Sequence, residues 1–254
     1  MALIPQQNQE MPFLEHLREL RQRLIVSAYA MALGFLVGYA LYHHYIGFLI
    51  RPFGEQLYIH QIEQGFTLRI RSGIMAGLIL SFPVHIYNVL AFIMPALEAR
   101  ERRAIKWLLG GSFCLIMMGG YIGYFQILPL SIKFLKGPDF VPAEVVTQLH
   151  FQESLGFVFQ IMLAFIALFQ LPLVLLILMA LGLVKRRWLL RASRYVLVVI
   201  FILSAVLTPP DVASQIGLAV PLIILYFLTM LVAKLFKLGE DDPDEPATDA
   251  DEDA

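Results

Sequence analysis

Three carboxylates stand where their spacing against arginine gives them chemistry: Glu19, Glu98 and Glu101. Glu19 lies in Leu17-Arg-Glu-Leu-Arg-Gln-Arg-Leu24, where Leu17, Leu20 and Leu24 share one helical face and the charges take the other. That pattern predicts an amphipathic helix lying at a membrane interface. Glu98 and Glu101 lie in Pro95-Ala-Leu-Glu-Ala-Arg-Glu-Arg-Arg103. Glu98 can pair locally with Arg102 at i,i+4 and stabilise a helix terminus. Alternatively, an accessible carboxylate here can grip the guanidinium fork of a cationic peptide through two hydrogen bonds. Both readings stay open at this point. A fourth carboxylate, Asp211, follows Thr208-Pro-Pro and is placed to N-cap the next helix, with or without a further role. Gln170 is a strongly polar side chain deep in a nearly unbroken apolar run. A buried amide in lipid seeks a partner, which points it into a bundle or cavity rather than toward acyl chains.

Covalent catalysis has no such support. There is no His-Glu-x-x-His and no Gly-x-Ser-x-Gly, and His43, His44, His60, His85 and His150 fall near segment ends or in loops. They read as interfacial or packing residues, and His16, beside Glu15 and Glu19, as a surface residue. The single Cys114 excludes an internal disulfide and any multi-cysteine metal site. No enzyme activity, metal, cofactor or nucleic-acid partner is expected.

The elements that must hold these residues are apolar. Hydrophobic residues make up 59% of the chain, charged residues 15%, and mean hydropathy is +0.72, well beyond the roughly 45–50% apolar usage of soluble domains. A helix crossing about 30 Å of hydrocarbon needs about 20 apolar residues. Six such segments are predicted, at 24–44, 73–95, 106–131, 155–182, 189–207 and 212–232, the last two short. Pro172 should kink the fourth, and the fifth implies local thinning of the bilayer. Lys and Arg mark the cytoplasmic side. Fourteen of the 19 cations fall before segment one, between two and three, between four and five, and after six. Both termini are therefore expected in the cytoplasm. The first apolar run is too long for a cleaved signal peptide, so insertion is expected without processing. Glu240 to Asp253 hold nine of the 20 acidic residues, leaving the body at +8, and the acidic composition predicts a disordered tail. The organisation is thus an amphipathic segment at 1–23, a six-helix membrane domain at 24–236 and a cytoplasmic tail at 237–254. Gly34-x-x-x-Gly38, Gly73-x-x-x-Gly77 and Gly119-x-x-x-Gly123 predict close helix packing within the chain. No internal repeat is visible, which disfavours a secondary transporter.

Specific motifs carry a resemblance. His16-Leu-Arg-Glu-Leu-Arg-Gln-Arg23, Pro52, Ala91-Phe-Ile-Met-Pro-Ala-Leu97 leading to Glu101-Arg-Arg103, Tyr124, Pro129 and Leu207-Thr-Pro-Pro-Asp-Val-Ala-Ser-Gln215 together resemble the TatC family, the multi-spanning core of the twin-arginine protein translocase, over about residues 12–236. The resemblance implies an all-α protein of the bacterial inner membrane that receives folded export substrates by their twin-arginine signal peptides. Glu19 and Glu101 would bind the paired arginines, Phe92, Pro95 and Leu97 would shape that surface, and Arg21, Arg23 and Arg103 would flank it. Pro52, Thr208, Pro209, Asp211 and Gln215 would belong to the periplasmic cap and to contacts with partners. The partners implied are membrane lipid and single-span subunits resembling TatA and TatB, in a hetero-oligomer driven by the proton-motive force. One departure is Gln170, where many members of the family carry Glu; polarity survives there but proton transfer does not. A small secondary transporter or channel is the alternative, and an intramembrane hydrolase a third.

Overall fold

The computed structural model describes residues 13–54, 56–94, 99–138, 140–141, 148–208, 211–236 and 238–239; the side chains of 13–15 and 99–109 lie outside the description. The described residues form helices with no strand beyond an isolated bridge between Tyr58 and His150. In order they are α1 (Phe13–Ala40), α2 (Tyr42–Ile50), α3 (Gln64–Ile93), α4 (Ala99–Tyr121), α5 (Leu128–Leu135), α6 (Phe151–Leu168), α7 (Leu171–Ala180), α8 (Arg186–Arg191), α9 (Ser193–Leu207) and α10 (Val212–Leu235). Among the described residues, five stretches are long and apolar enough to cross a membrane: His16–Ala40, Gln64–Ile93, Gly110–Leu135, Phe151–Ala180 and Val212–Leu235.

The sixth apolar element is α9. Its 15 residues rise only about 22 Å, short of a 30 Å hydrocarbon layer. Its far end is recessed. Gln160 Nε2 donates at 3.5 Å to the Leu207 carbonyl that closes α9, and Gln160 stands about 14 Å along α6 from Phe151. The shortness expected of the last two segments is confined to α9, because α10 runs for 24 residues.

Two boundaries differ from the sequence reading. The opening amphipathic stretch is not a separate interfacial helix, since α1 continues unbroken from Phe13 to Ala40. Leu17, Leu20 and Leu24 face outward on it at 43, 36 and 61% exposure, so the apolar stripe is directed away from the bundle, and the line through His16, Glu19 and Arg23 is the partly buried one. Helix α3 begins at Gln64, nine residues before the apolar segment, and takes in Arg69 and Arg71. Arg69 is useful there. Its Nε and Nη2 donate at 3.4 Å to the Tyr39 carbonyl, an acceptor left unpaired in the last turn of α1, while its guanidinium lies 4.3 Å from the Tyr39 ring centroid.

The glycine motifs do what their spacing predicts. A Cβ built on Gly34 would stand 2.7 Å from the Gly77 carbonyl oxygen, and one on Gly77 would stand 2.6 Å from the Phe35 nitrogen. Backbones of α1 and α3 therefore touch where any larger residue would part them. Gly119 meets the Phe165 carbonyl oxygen of α6 in the same way, at 2.8 Å.

Proline sets the breaks. Pro172 cannot donate to the Leu168 carbonyl, and the fourth span turns at Phe169–Gln170 into α7, the kink expected there. Pro129 is preceded by a π-helical turn at Ile122–Ile127, which widens the helix where proline cannot complete the α ladder. Pro52 likewise frees the Phe48 carbonyl at the end of α2. That oxygen accepts the Tyr124 hydroxyl from the π turn and the Arg51 N–H. The core lies around α6, where Leu155, Val158, Ile161 and Phe165 are wholly buried.

Candidate functional site

At the Phe13 end of α1, the returning end of α3 packs against the polar face of the leucine-striped helix. His16 stacks on Phe92 with ring centroids 4.2 Å apart and 22° between planes. Asn88 Nδ2 donates at 2.8 Å to Ser27 Oγ and at 3.3 Å to the Arg23 carbonyl. These contacts fix the turn of α1 that carries Glu19. Arg23, one turn on, donates from Nε at 3.1 Å and from Nη2 to the same carboxylate oxygen, Glu19 Oε1. The other oxygen, Oε2, is enclosed and has no partner. Glu19 and Arg23 side chains are each about a quarter exposed, at 21 and 25%, so the carboxylate is reachable yet shielded from bulk water.

The chain needs only residues 94–98 to pass from α3 to α4, so Glu101, the third residue of α4, begins that helix at the same end of the bundle. A carboxylate in a first helical turn is favoured by the dipole. The side chains of Glu101 and Arg103 lie outside the described residues, as do Pro95 and Leu97 altogether. Arg21 is exposed on α1.

The opposite end is built around Asp211, which is 5% exposed. Its Oδ1 accepts the Ser214 N–H at 2.7 Å and its Oδ2 the Ser214 hydroxyl at 2.6 Å. This is the N-cap expected of it, with both oxygens occupied. Thr208 Oγ1 donates at 2.7 Å to the Ser204 carbonyl and closes α9. Gln215 Nε2 reaches the Phe201 carbonyl at 3.4 Å, tying α10 to α9. Pro209 lies outside the described residues, and Pro52 sits in the 3₁₀ turn Arg51–Phe53.

Gln170 is 4% exposed at the break between α6 and α7. Its Nε2 donates to the Ser112 carbonyl of α4 at 3.5 Å, the limit of a hydrogen bond, and its Oε1 has no partner. The amide points into the bundle.

A family model described as Sec-independent protein translocase protein (TatC) matches residues 15–221. The chain belongs to the TatC family. It is 34% identical over 231 residues to the Sec-independent protein translocase protein TatC of Aquifex aeolicus, covering 89% of this chain and 95% of that one. The corresponding protein of Desulforapulum autotrophicum is 31% identical over 249 residues, covering 96% and 92%. Two crystal structures of the twin-arginine translocase receptor TatC superpose with TM-scores of 0.74 and 0.75 at 32 and 31% identity, covering 87 and 89% of this chain and 99 and 100% of theirs. TatC proteins are membrane components of a protein translocase, so the chain is a membrane protein of a transport family.

Within this TatC chain the structure gathers His16, Glu19, Arg23 and Phe92 at one end, and Thr208, Asp211 and Gln215 at the other. His16, Asn88 and the His60–His150 pairing escaped the sequence. His16, read as a surface residue, packs on Phe92. Asn88 holds the backbone beneath Glu19, and the spacing of Ser81, His85 and Asn88 along one face of an apolar helix was its signal; Ser81 Oγ and His85 Nε2 lie 2.9 Å apart on that line. His60 and His150 meet across two loops with Nε2 atoms 3.2 Å apart, a tertiary pairing with no local signature. Among the described residues no group of three or more metal-ligating side chains occurs.

Proposed function

We propose that this chain is the signal-peptide receptor and core subunit of a Sec-independent translocase, and that the surface around Glu19 and Glu101 receives the paired arginines of export substrates. The observation that carries this reading is Glu19. One oxygen is shared with Arg23, and the other is enclosed, unpartnered and adjacent to the Phe92 platform. A guanidinium entering here finds an acceptor already desolvated, the condition under which a charge-assisted hydrogen bond is strongest. Glu101 supplies the second carboxylate, and Pro95, Leu97, Arg21 and Arg103 border the site.

In this reading the chain crosses the membrane six times, α9 being the fifth crossing, with both termini in the cytoplasm of a bacterium. The cation distribution supports that orientation. Asp211, Thr208, Pro209, Gln215 and Pro52 then shape the periplasmic side where single-span TatA-like and TatB-like subunits dock. Gln170 contributes polarity, not proton transfer. The protein makes and breaks no covalent bond; it recognises and assembles.

Photo-crosslinking from positions 19 and 101 tests the assignment. A signal peptide with Arg-Arg should crosslink at both positions and its Lys-Lys counterpart much less; equal crosslinking by the two peptides overturns the recognition claim. Cysteine labelling tests the orientation: position 139 should react from outside and position 187 from inside.

A further inference from the structure

We infer that the chain's own acidic run, residues 240–254, docks back on the basic face of α8 and the start of α9 as an intramolecular cover of that end of the bundle. The basic face is dense. Lys185, Arg186, Arg187, Arg191 and Arg194 fall within ten residues, and all but the half-buried Arg186 are exposed. The sequence holds no acidic residue from Ser154 to Pro210, so the carboxylates able to balance these cations come from elsewhere in the chain. The end of α10 leads to them. Leu238 is buried and its N–H donates to the Ala233 carbonyl at 2.9 Å. Gly239 then takes a left-handed φ of +64°, and its carbonyl accepts the Arg186 N–H at 3.0 Å. A Cβ on Gly239 would stand 3.0 Å from the Arg186 nitrogen and 3.1 Å from the Val184 carbonyl oxygen, so the chain leaves the bundle pressed against the start of α8.

Nine acidic residues follow at once, from Glu240 to Asp253, with no basic residue among them. Glu240, Asp241 and Asp242 stand within about 11 Å of Gly239 along the chain, and the whole run reaches up to about 50 Å. The five cations are spread over only about 14 Å of helix. Prolines after Asp242 and Glu245 bias the run toward extended backbone, which spaces its carboxylates along a surface. Arg186 adds a local demand, since its Nε is enclosed and without a partner at the point where the acidic run departs. A single exposed ion pair contributes little. Several acting together on a short tether, at millimolar effective concentration, hold where one would not. Charge complementarity and the tether therefore select residues 240–254 over a separate polyanion.

Trp188 reports on the docking, because it lies between Arg187 and Arg191 and is 61% exposed. The test uses the full chain in phosphatidylcholine nanodiscs, with Trp107→Phe and Cys114→Ala leaving one reporter, and a short-range nitroxide quencher attached through Ala247→Cys. At an ionic strength of about 0.02 M the nitroxide should quench Trp188 at least about threefold more strongly than in a full-length chain whose nine tail acids are changed to Asn and Gln. That comparison keeps the tether and removes the charge. Raising the salt to about 0.5 M, where the Debye length is about 4 Å, should bring the acidic tail down to the neutral one. Arg191→Gln with Arg194→Gln should lower the quenching toward the same level, whereas Arg191→Lys with Arg194→Lys should retain it. Equal quenching by the acidic and the neutral tail at low salt overturns the proposal, and so does a difference that survives both the salt and the glutamine pair.

Discussion

Glu19 and Asp211 are carboxylates at opposite ends of the same bundle, and they are used in opposite ways. Asp211 is buried, and both of its oxygens are taken by Ser214 of its own helix. Glu19 spends one oxygen on a neighbouring arginine and keeps the other enclosed without a partner. A satisfied carboxylate is structural, because any new ligand would first have to displace bonds already made. An unsatisfied one carries a desolvation cost that a donor of the right shape can relieve. The difference separates a carboxylate committed to the fold from one with an oxygen to spare, which in the proposed receptor is the oxygen that an incoming guanidinium would take.

Removing the carboxylate with the spare oxygen should therefore have the largest effect on recognition and almost none on the fold. Glu19→Ala should weaken binding of a twin-arginine peptide by about 10–100-fold, the loss of one or two hydrogen bonds to a charged group. Its thermal midpoint should stay within about 2 °C of the parent, since a partly exposed i,i+4 pair contributes only about 0.3–0.5 kcal/mol. Titrating labelled peptide into the purified protein, beside a thermal unfolding scan, reads both quantities. A large drop in midpoint with unchanged affinity would invert the comparison.

Asp211→Ala should do the reverse. Loss of an N-cap costs about 1–2 kcal/mol, which lowers the midpoint of a chain of this size by about 2–8 °C. Peptide affinity at the other end should not move. Asp211→Ser keeps a capping oxygen and should recover most of the stability. If it recovers none while export also fails, Asp211 has a role beyond the cap.

Gln170 lies between these cases: buried, half satisfied and far from either end. Gln170→Leu removes a bond at the limit of hydrogen-bonding distance together with an unpartnered oxygen, so stability should change by less than about 1 kcal/mol. Export in a cell assay should slow if polarity at this depth is used. An unchanged rate would remove the residue from the mechanism.

The contrast was half legible in the sequence. Two prolines before Asp211 and a serine three residues after it announce an N-cap through local chemistry alone, and the structure reports that cap. The glycine pairs were legible for the same reason, since a spacing of four is a property of one helix. Glu19 was visible as a charged helical position. Its spare oxygen was not, because that state depends on Phe92 and Asn88 of α3 packing against His16 and the backbone of α1. The true start of α3 was hidden by Arg69 and Arg71, which hydropathy reads as a boundary, although Arg69 caps the neighbouring helix. The π turn before Pro129 and the meeting of His60 with His150 are likewise outcomes of three-dimensional closure.

The smallest effect is the most discriminating. Arg23 occupies the Glu19 oxygen that an incoming guanidinium would share, so it acts either as a competitor or as a brace. As a competitor it holds the carboxylate only through a partly exposed pair worth about 0.3–0.5 kcal/mol. Arg23→Gln should then raise peptide affinity about twofold, with a steeper loss of affinity in salt because a cation that repels the peptide is gone. As a brace it would set the rotamer of Glu19, and its loss would lower affinity. The Asn88 contact to the Arg23 backbone persists in the variant, and the His16–Phe92 stack is independent of the guanidinium, so the turn carrying Glu19 stays fixed without it. That favours the competitor. A fivefold or larger fall in affinity for Arg23→Gln would show that Glu19 is positioned by its neighbour, and that the recognition unit is the ion pair, not the carboxylate alone.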